Sequence, residues 1–177
     1  GSTHEKTWHL VKTLPHVSGL FVWTGFDYLG EPTPYWWPSR SSFFGIVDLA
    51  GFPKDVYYMY KSEWTDEPVL HIFPHWNWKE GERVDIWAYY NNADEVELYL
   101  NGKSLGVRQK TDSTYHVSWR VPFTPGTLRA VSRLGGKEVL VKEIHTAGEP
   151  ARLVLTPDRS VIQADGSDLS FVTVDVC

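Results

Sequence analysis

The chain is poor in cysteine: its one residue of that type, Cys177, ends the sequence. An intrachain disulfide is therefore excluded, and cysteine usage leaves the redox compartment open. No apolar run approaches the roughly 18 residues that a membrane-spanning helix needs, so no membrane insertion is expected. The opening residues, GSTHEKTW, have neither the charged nor the apolar region of a secretory signal. Asn-x-Ser/Thr acceptors for glycosylation are absent as well. Basic residues are dispersed and the formal net charge is -5, which gives no electrostatic footprint for nucleic acid or for an anionic membrane. There is no glycine-rich phosphate loop and no serine or cysteine nucleophile motif. His71 and His75 stand four apart, a metal-binding spacing on a helix, but Pro74 between them spoils that geometry and no third ligand is evident. Neither a metal nor a cofactor is expected.

What the chain has in excess is aromatic residues, 15% of the total with nine Trp. They are unevenly placed: 14 of the 26 fall between Phe21 and Trp64. The first third and the remainder therefore read as different kinds of structure. In the first third, HEKTWHLVKTL puts Trp8 and Val11 on one helical face until Pro15, which predicts a helix over 3–14. The apolar run VSGLFVW follows, and its lack of polar alternation suits a strand covered on both faces, as in a parallel sheet. Prolines and glycines from 25 to 50 imply a long ordered loop. A second helix is expected over 53–64, with Pro53 at its first position. Helix, strand, loop and helix in that order make one piece of an α/β fold.

Beyond TDEPV the periodicity changes to two, the mark of half-buried antiparallel strands. RVDIWAYY alternates, as does EVELYLNGKSLGV around a tight turn at Asn101-Gly102. TYHVSWRVPF carries Tyr115, Val117, Trp119 and Val121 on one face. TPGTLRAVSRL and KEVLVKEIHTA follow across Gly135-Gly136, at the spacing of an immunoglobulin-like β-sandwich. A last alternating stretch, from AGEPARLVLTP onward, has room for only two or three strands, too few for a sandwich. LSFVTVDVC stops while still alternating, so the chain is expected to be an excerpt of a longer polypeptide.

The densest concentration of chemistry is LFVWTGFDYLGEPTPYWWPSR, residues 20–40, with seven aromatics, two carboxylates and three prolines. Asp27 and Glu31 admit two readings. Walled by aromatics, they could form a general acid/base pair, which retaining glycoside hydrolysis needs at about 5 Å separation. In a Gly/Pro loop, carboxylates equally well cap turns or bind backbone N–H groups. Trp23, Phe26, Tyr28, Tyr35, Trp36 and Trp37 are either sugar platforms, since pyranose C–H faces pack on rings, or plain core. Trp23 stands out, because it lies where the strand gives way to the loop, the end at which β/α proteins build sites.

Three blocks carry a resemblance, the last of them AGEPARLVLTPDRSVIQADGSDLSFVTVDV, which is similar to the start of a further immunoglobulin-like domain. GLFVWTGFDYLGEPTPY with SRSSFFGIVDLAGFPKDVYYMYKSEW resembles the last β/α unit of the catalytic barrel in glycoside hydrolase family 2, most of all its Bacteroides-type β-galactosidase and β-glucuronidase members. HIFPHWNWKEGERVDIWAYYNNADEVELYLNGKSLG is similar to the sandwich that follows that barrel. The resemblance implies a mainly β chain in three parts: residues 1–68 as the last segment of a (β/α)8 TIM barrel, with 19–23 its eighth strand; 69–147 as the immunoglobulin-like sandwich; and 148–177 as the start of a second, truncated one. It implies a retaining exo-acting β-glycosidase whose catalytic Glu pair lies upstream, so that no catalytic residue falls in this chain and the isolated chain is inactive. Trp23 would lie at the floor of the pocket beside the sugar in the minus-one subsite. Asp27, Tyr28 and Glu31 would follow at the barrel mouth as substrate contacts. The implied partners are a β-galactoside or β-glucuronide and the rest of the barrel, with room for oligomers, and the implied location is periplasmic or extracellular. The alternative is a non-catalytic carbohydrate-binding or structural sandwich, for which the aromatics of HWNW and DIWAYY are the candidates.

Overall fold

The computed structural model describes residues 3–177. They form two compact units, one running to His145 and the other Thr146–Cys177.

The first unit begins with helix α1, His4–Thr13, whose Thr3 cap accepts a hydrogen bond from the Lys6 backbone N–H. Glu5 in the first turn and Lys12 in the last complement the helix dipole. Helix α2, Asp55–Trp64, starts two residues later than Pro53 suggests. The reason is tertiary. Lys54 donates its backbone N–H to the Ile46 carbonyl (2.9 Å) and Pro53 bridges Val47, and these contacts hold both residues extended.

Leu20, Val22 and Ile46 pack with Trp8 and Val56 around buried Met59 and Tyr60. Phe21 and Trp23 face the other way and are open to solvent. The run expected to be covered on both faces is therefore covered on one, and residues 17–24 join no ladder among the described residues.

Seven strands follow: β1 (Leu70–Phe73), β2 (Arg83–Tyr90), β3 (Glu95–Leu100), β4 (Lys103–Arg108), β5 (Val117–Pro122), β6 (Thr127–Leu134) and β7 (Lys137–His145). They pair antiparallel in two sheets, β1-β2-β5 and β4-β3-β6-β7. Alternation decides which side chains meet between them. Ile86, Ala88, Val117, Trp119 and Val121 of the first sheet join Val96, Leu98, Leu128 and Ala130 of the second in one core. Full burial of such side chains contributes about 1.5–3 kcal/mol each. Trp76 caps this core and donates its indole N–H to the Thr124 carbonyl at 3.0 Å. Both tight turns have the left-handed backbone that the sequence predicts, with φ of 51° and 80° at Asn101-Gly102 and 56° and 79° at Gly135-Gly136.

The other face of β1-β2-β5 receives the helices. Tyr58 stacks flat on His71 with ring centroids 3.8 Å apart, Phe73 stacks on Tyr89, and Trp87 stacks on His116 at 3.8 Å. Glu5 of α1 accepts from the Tyr89 hydroxyl (3.1 Å) and lies 2.8 Å from His116 Nδ1. The aromatics of DIWAYY are thus spent on packing.

A second clamp lies at Glu63. Its buried carboxylate accepts from the Trp8 indole and from Lys12 Nζ, both at 3.0 Å, with Lys110 Nζ at 3.5 Å. Burial pushes the Glu63 carboxyl up, but the Trp8 N–H and the two ammonium groups outweigh it and hold the group below its ordinary value. A lowered folded-state pKa stabilises the fold where both states are ionised, and that contribution fades as pH falls from about 4 through the folded value. Glu63→Gln is therefore expected to lose about 2 kcal/mol at pH 7, below the figure for a fully buried pair because Lys12 is solvent-exposed. The loss should shrink toward pH 3. Thermal unfolding across pH checks this, and a pH-independent difference would contradict it.

The second unit is a hairpin of β8 (Leu153–Pro157) and β9 (Val172–Val176). Its register sets Leu153, Leu155 and Pro157 opposite Val176, Val174 and Val172, which makes one face wholly apolar. No helix among the described residues is long and apolar enough to cross a membrane.

Candidate functional site

Residues 24–28 are laid against 42–47 by short backbone contacts rather than by a full sheet. Thr24 donates to the Phe44 carbonyl (3.1 Å), Ile46 to Thr24 (3.0 Å), Val47 to Gly25 (3.0 Å) and Asp27 to Val47 (2.9 Å). The fully buried Ser42 locks the next register: its hydroxyl accepts from the Tyr28 N–H at 3.0 Å while its own N–H donates to the Tyr28 carbonyl at 2.8 Å. Gly45 is forced by this closeness. A Cβ there would overlap the backbone of Phe26, Asp27 and Val47.

On that base stand three of the residues singled out in the sequence. Trp23 is 73% exposed, and its peptide bond to Thr24 is cis. Tyr28 meets its ring edge-on, with centroids 6.4 Å apart. Gly30 (φ 99°) and Glu31 (φ 42°) turn the chain back, so that Glu31 Oε2 accepts from the Tyr28 hydroxyl. The bond to Glu31 raises the Tyr28 pKa above its ordinary value, burial adds to this, and the Trp23 indole acts in the opposite sense. Tyr28 is thus held neutral with its proton committed to Glu31, and the pair offers acceptor oxygens next to an open indole face that Tyr28 meets edge-on. This combination can hold a pyranose: C–H groups on the ring, hydroxyls on the polar pair.

Asp27 is positioned differently. Its carboxylate is buried, accepts from the Gly45 N–H at 2.7 Å and binds Lys54 Nζ through both oxygens at 2.9 and 2.7 Å. Burial raises the Asp27 pKa, but Lys54 and the Gly45 N–H bring it below its ordinary value. The acceptor sites are committed to anchoring the loop, one of the two roles its Gly/Pro setting allows. Lys54 also donates to the Phe43 carbonyl at 3.3 Å. Sequence reasoning passed over Lys54, Gly45 and Ser42. The only signal was FPKD, a lysine just ahead of a helix.

Elsewhere, His71 lies 2.8 Å from Asp55 and His75 stacks on Trp78. Among the described residues no group of three or more His, Cys, Asp or Glu could hold a metal.

A family model described as a domain of unknown function, DUF4982, matches residues 81–140. The chain is 64% identical over 176 residues to the beta-galactosidase BoGH2A of Bacteroides ovatus, an alignment covering 99% of this chain and 21% of that protein. It is 42% identical over 157 residues to a putative beta-glucuronidase of Formosa agariphila, covering 84% of this chain and 15% of the relative. Among solved structures, a beta-glycosidase from Bacteroides vulgatus superposes with a TM-score of 0.88 at 35% identity, over 98% of this chain and 22% of that one. A glycosyl hydrolase family 2 member from Bacteroides cellulosilyticus gives 0.83 at 32% identity, over 97% of this chain and 27% of that one. The chain thus spans about a fifth of the length of the first of these curated relatives. By these matches it belongs to glycoside hydrolase family 2, corresponding to a fragment of the Bacteroides-type enzymes.

Proposed function

We propose that this chain supplies one wall of the sugar pocket in a retaining, exo-acting β-glycosidase that cleaves a β-galactoside or β-glucuronide. The observation that carries the reading is the open face of Trp23, Tyr28 and Glu31, where an exposed indole adjoins a hydrogen-bonded pair whose remaining acceptor oxygens can take sugar hydroxyls. Asp27 holds that face from behind through Lys54 and Gly45. In this reading residues 1–68 are the last β/α segment of a (β/α)8 barrel, and the solvent-open side chain of Phe21 is where neighbouring barrel strands pack. Residues 69–147 are an accessory sandwich, and the one-sided apolar hairpin within 148–177 begins a second.

Retention needs two carboxyl groups about 5 Å apart, one a nucleophile and one an acid/base. Asp27 is buried and committed to Lys54 and the Gly45 N–H, which leaves Glu31 without a second free carboxyl to work with. The catalytic pair is assigned to polypeptide outside this chain. Of the sandwich candidates for the carbohydrate-binding alternative, Trp76, Tyr89 and Tyr90 are buried and Trp87 is stacked on His116, which leaves Trp78, stacked on His75, as the one exposed ring.

The test is hydrolysis of nitrophenyl β-galactoside and β-glucuronide by the full-length polypeptide, with the anomer first released followed by NMR, beside the isolated chain. The full-length polypeptide should release the β-anomer and the isolated chain should release nothing. Turnover by the isolated chain that disappears in Glu31→Gln would sink the proposal.

A further inference from the structure

Beyond Glu31 the loop continues into a tip, residues 32–39, that the site just described does not use. Leu29 bridges Ser41 and the Gly30 N–H donates to the Arg40 carbonyl at 2.8 Å, so the tip projects from a short two-stranded root. Two successive turns shape it, with Tyr35 N–H donating to Pro32 (2.8 Å) and Ser39 N–H to Trp36 (3.0 Å). Pro32, Pro34 and Pro38 fix φ along it, so the tip is stiff without any core of its own.

This stiff tip presents rings. Trp36 is 88% exposed, Trp37 76% and Tyr35 57%. The Arg40 guanidinium lies over the Trp37 ring, 4.7 Å from its centroid, which covers one face and leaves the other open. Tyr35 is steadied edge-on by Phe43 at 4.7 Å. Three successive exposed aromatic residues on one stiff turn mark an interaction site. Its setting favours a glycan over a protein: Arg40 lies on the Trp37 ring, and Glu31 and Ser39 flank the rings along the chain, which supplies hydrogen-bonding groups to match the mixed C–H and hydroxyl surface of a sugar. The tip also runs directly from Glu31, at one end of the Trp23 face.

We propose that Tyr35, Trp36 and Trp37 form a second sugar platform, which binds the leaving-group side of an oligosaccharide whose terminal β-galactosyl unit sits on Trp23. The substrate class is then a galactosyl-terminated oligosaccharide rather than a simple alkyl or aryl glycoside. The proposal rests on the glycosidase reading above.

The experiment uses the full-length polypeptide carrying Trp36→Ala, Trp37→Ala or both, with methyl β-galactoside and a β-galactosyl-terminated trisaccharide as substrates. The ratio of kcat/KM for trisaccharide over methyl galactoside should fall about tenfold in the double variant, mainly through KM on the trisaccharide. An unchanged ratio overturns the platform, including the case in which both substrates suffer equally because the tip packs against protein. Calorimetric titration of the trisaccharide tests the platform without turnover: binding should weaken about tenfold in the double variant, and equal binding overturns it. Absence of hydrolysis of either substrate, with tip-dependent trisaccharide binding intact, would instead count against the glycosidase reading.

Discussion

Trp23→Ala in the full-length polypeptide should lower kcat/KM for its β-glycoside about a hundredfold, equivalent to roughly 2.7 kcal/mol of transition-state binding. The indole is exposed and meets Tyr28 edge-on, so its removal takes away the apolar floor proposed for the sugar and the ring that steadies Tyr28. Little of the loss should come from unfolding, because Leu20 and Val22, not Trp23, pack against the helices. Trp23→Phe keeps a ring face and should recover part of the activity. Steady-state kinetics beside thermal unfolding separate the two effects. Wild-type kcat/KM in Trp23→Ala would remove Trp23 from the site.

A comparable effect on stability is expected at Gly45, which packs against the backbone of residues 26, 27 and 47. Its position leaves no room for a methyl group, since the obstructing atoms are the main chain of residues 26, 27 and 47 rather than flexible side chains. Gly45→Ala must therefore separate 24–28 from 42–47, which opens the bond to Asp27 and loosens the Asp27–Lys54 pair. Overpacking against rigid neighbours costs up to about 3 kcal/mol, or about 6–12 °C in Tm for a chain of this size. Because Asp27 titrates below its ordinary value, the wild-type loop is strongest above about pH 4 and weakens as pH falls through the folded value. The variant should lose that dependence. Unchanged Tm would show that the loop does not rely on the close approach at Gly45.

The sandwich was legible because alternation is a local rule with a global consequence. Once Val117, Trp119 and Val121 share one face of a strand, burial of that face follows, and all three lie in the sandwich core, whereas Tyr115, expected on the same face, precedes β5 and packs with Met59, Tyr60 and Tyr89 instead. Turn chemistry is local too, so Asn101-Gly102 and Gly135-Gly136 could be placed from residue type alone. The stretch 20–40 resisted such reading. Its glycines, prolines and aromatics have no period, and the role of Asp27 depends on a lysine 27 positions away.

By itself, then, the sequence determined the strands of the sandwich, their inward faces, their turns and the family, because each depends on residues near one another or on an unusual run of them, whereas the strand expected over 19–23 joins no ladder among the described residues. Only the tertiary structure decided that Asp27 anchors while Tyr28 and Glu31 pair, that α2 begins at Asp55, and that Trp23 faces outward while Trp76 is core. Those outcomes rest on which distant backbone groups and charges come within hydrogen-bonding reach, a distance that spacing along the chain does not encode.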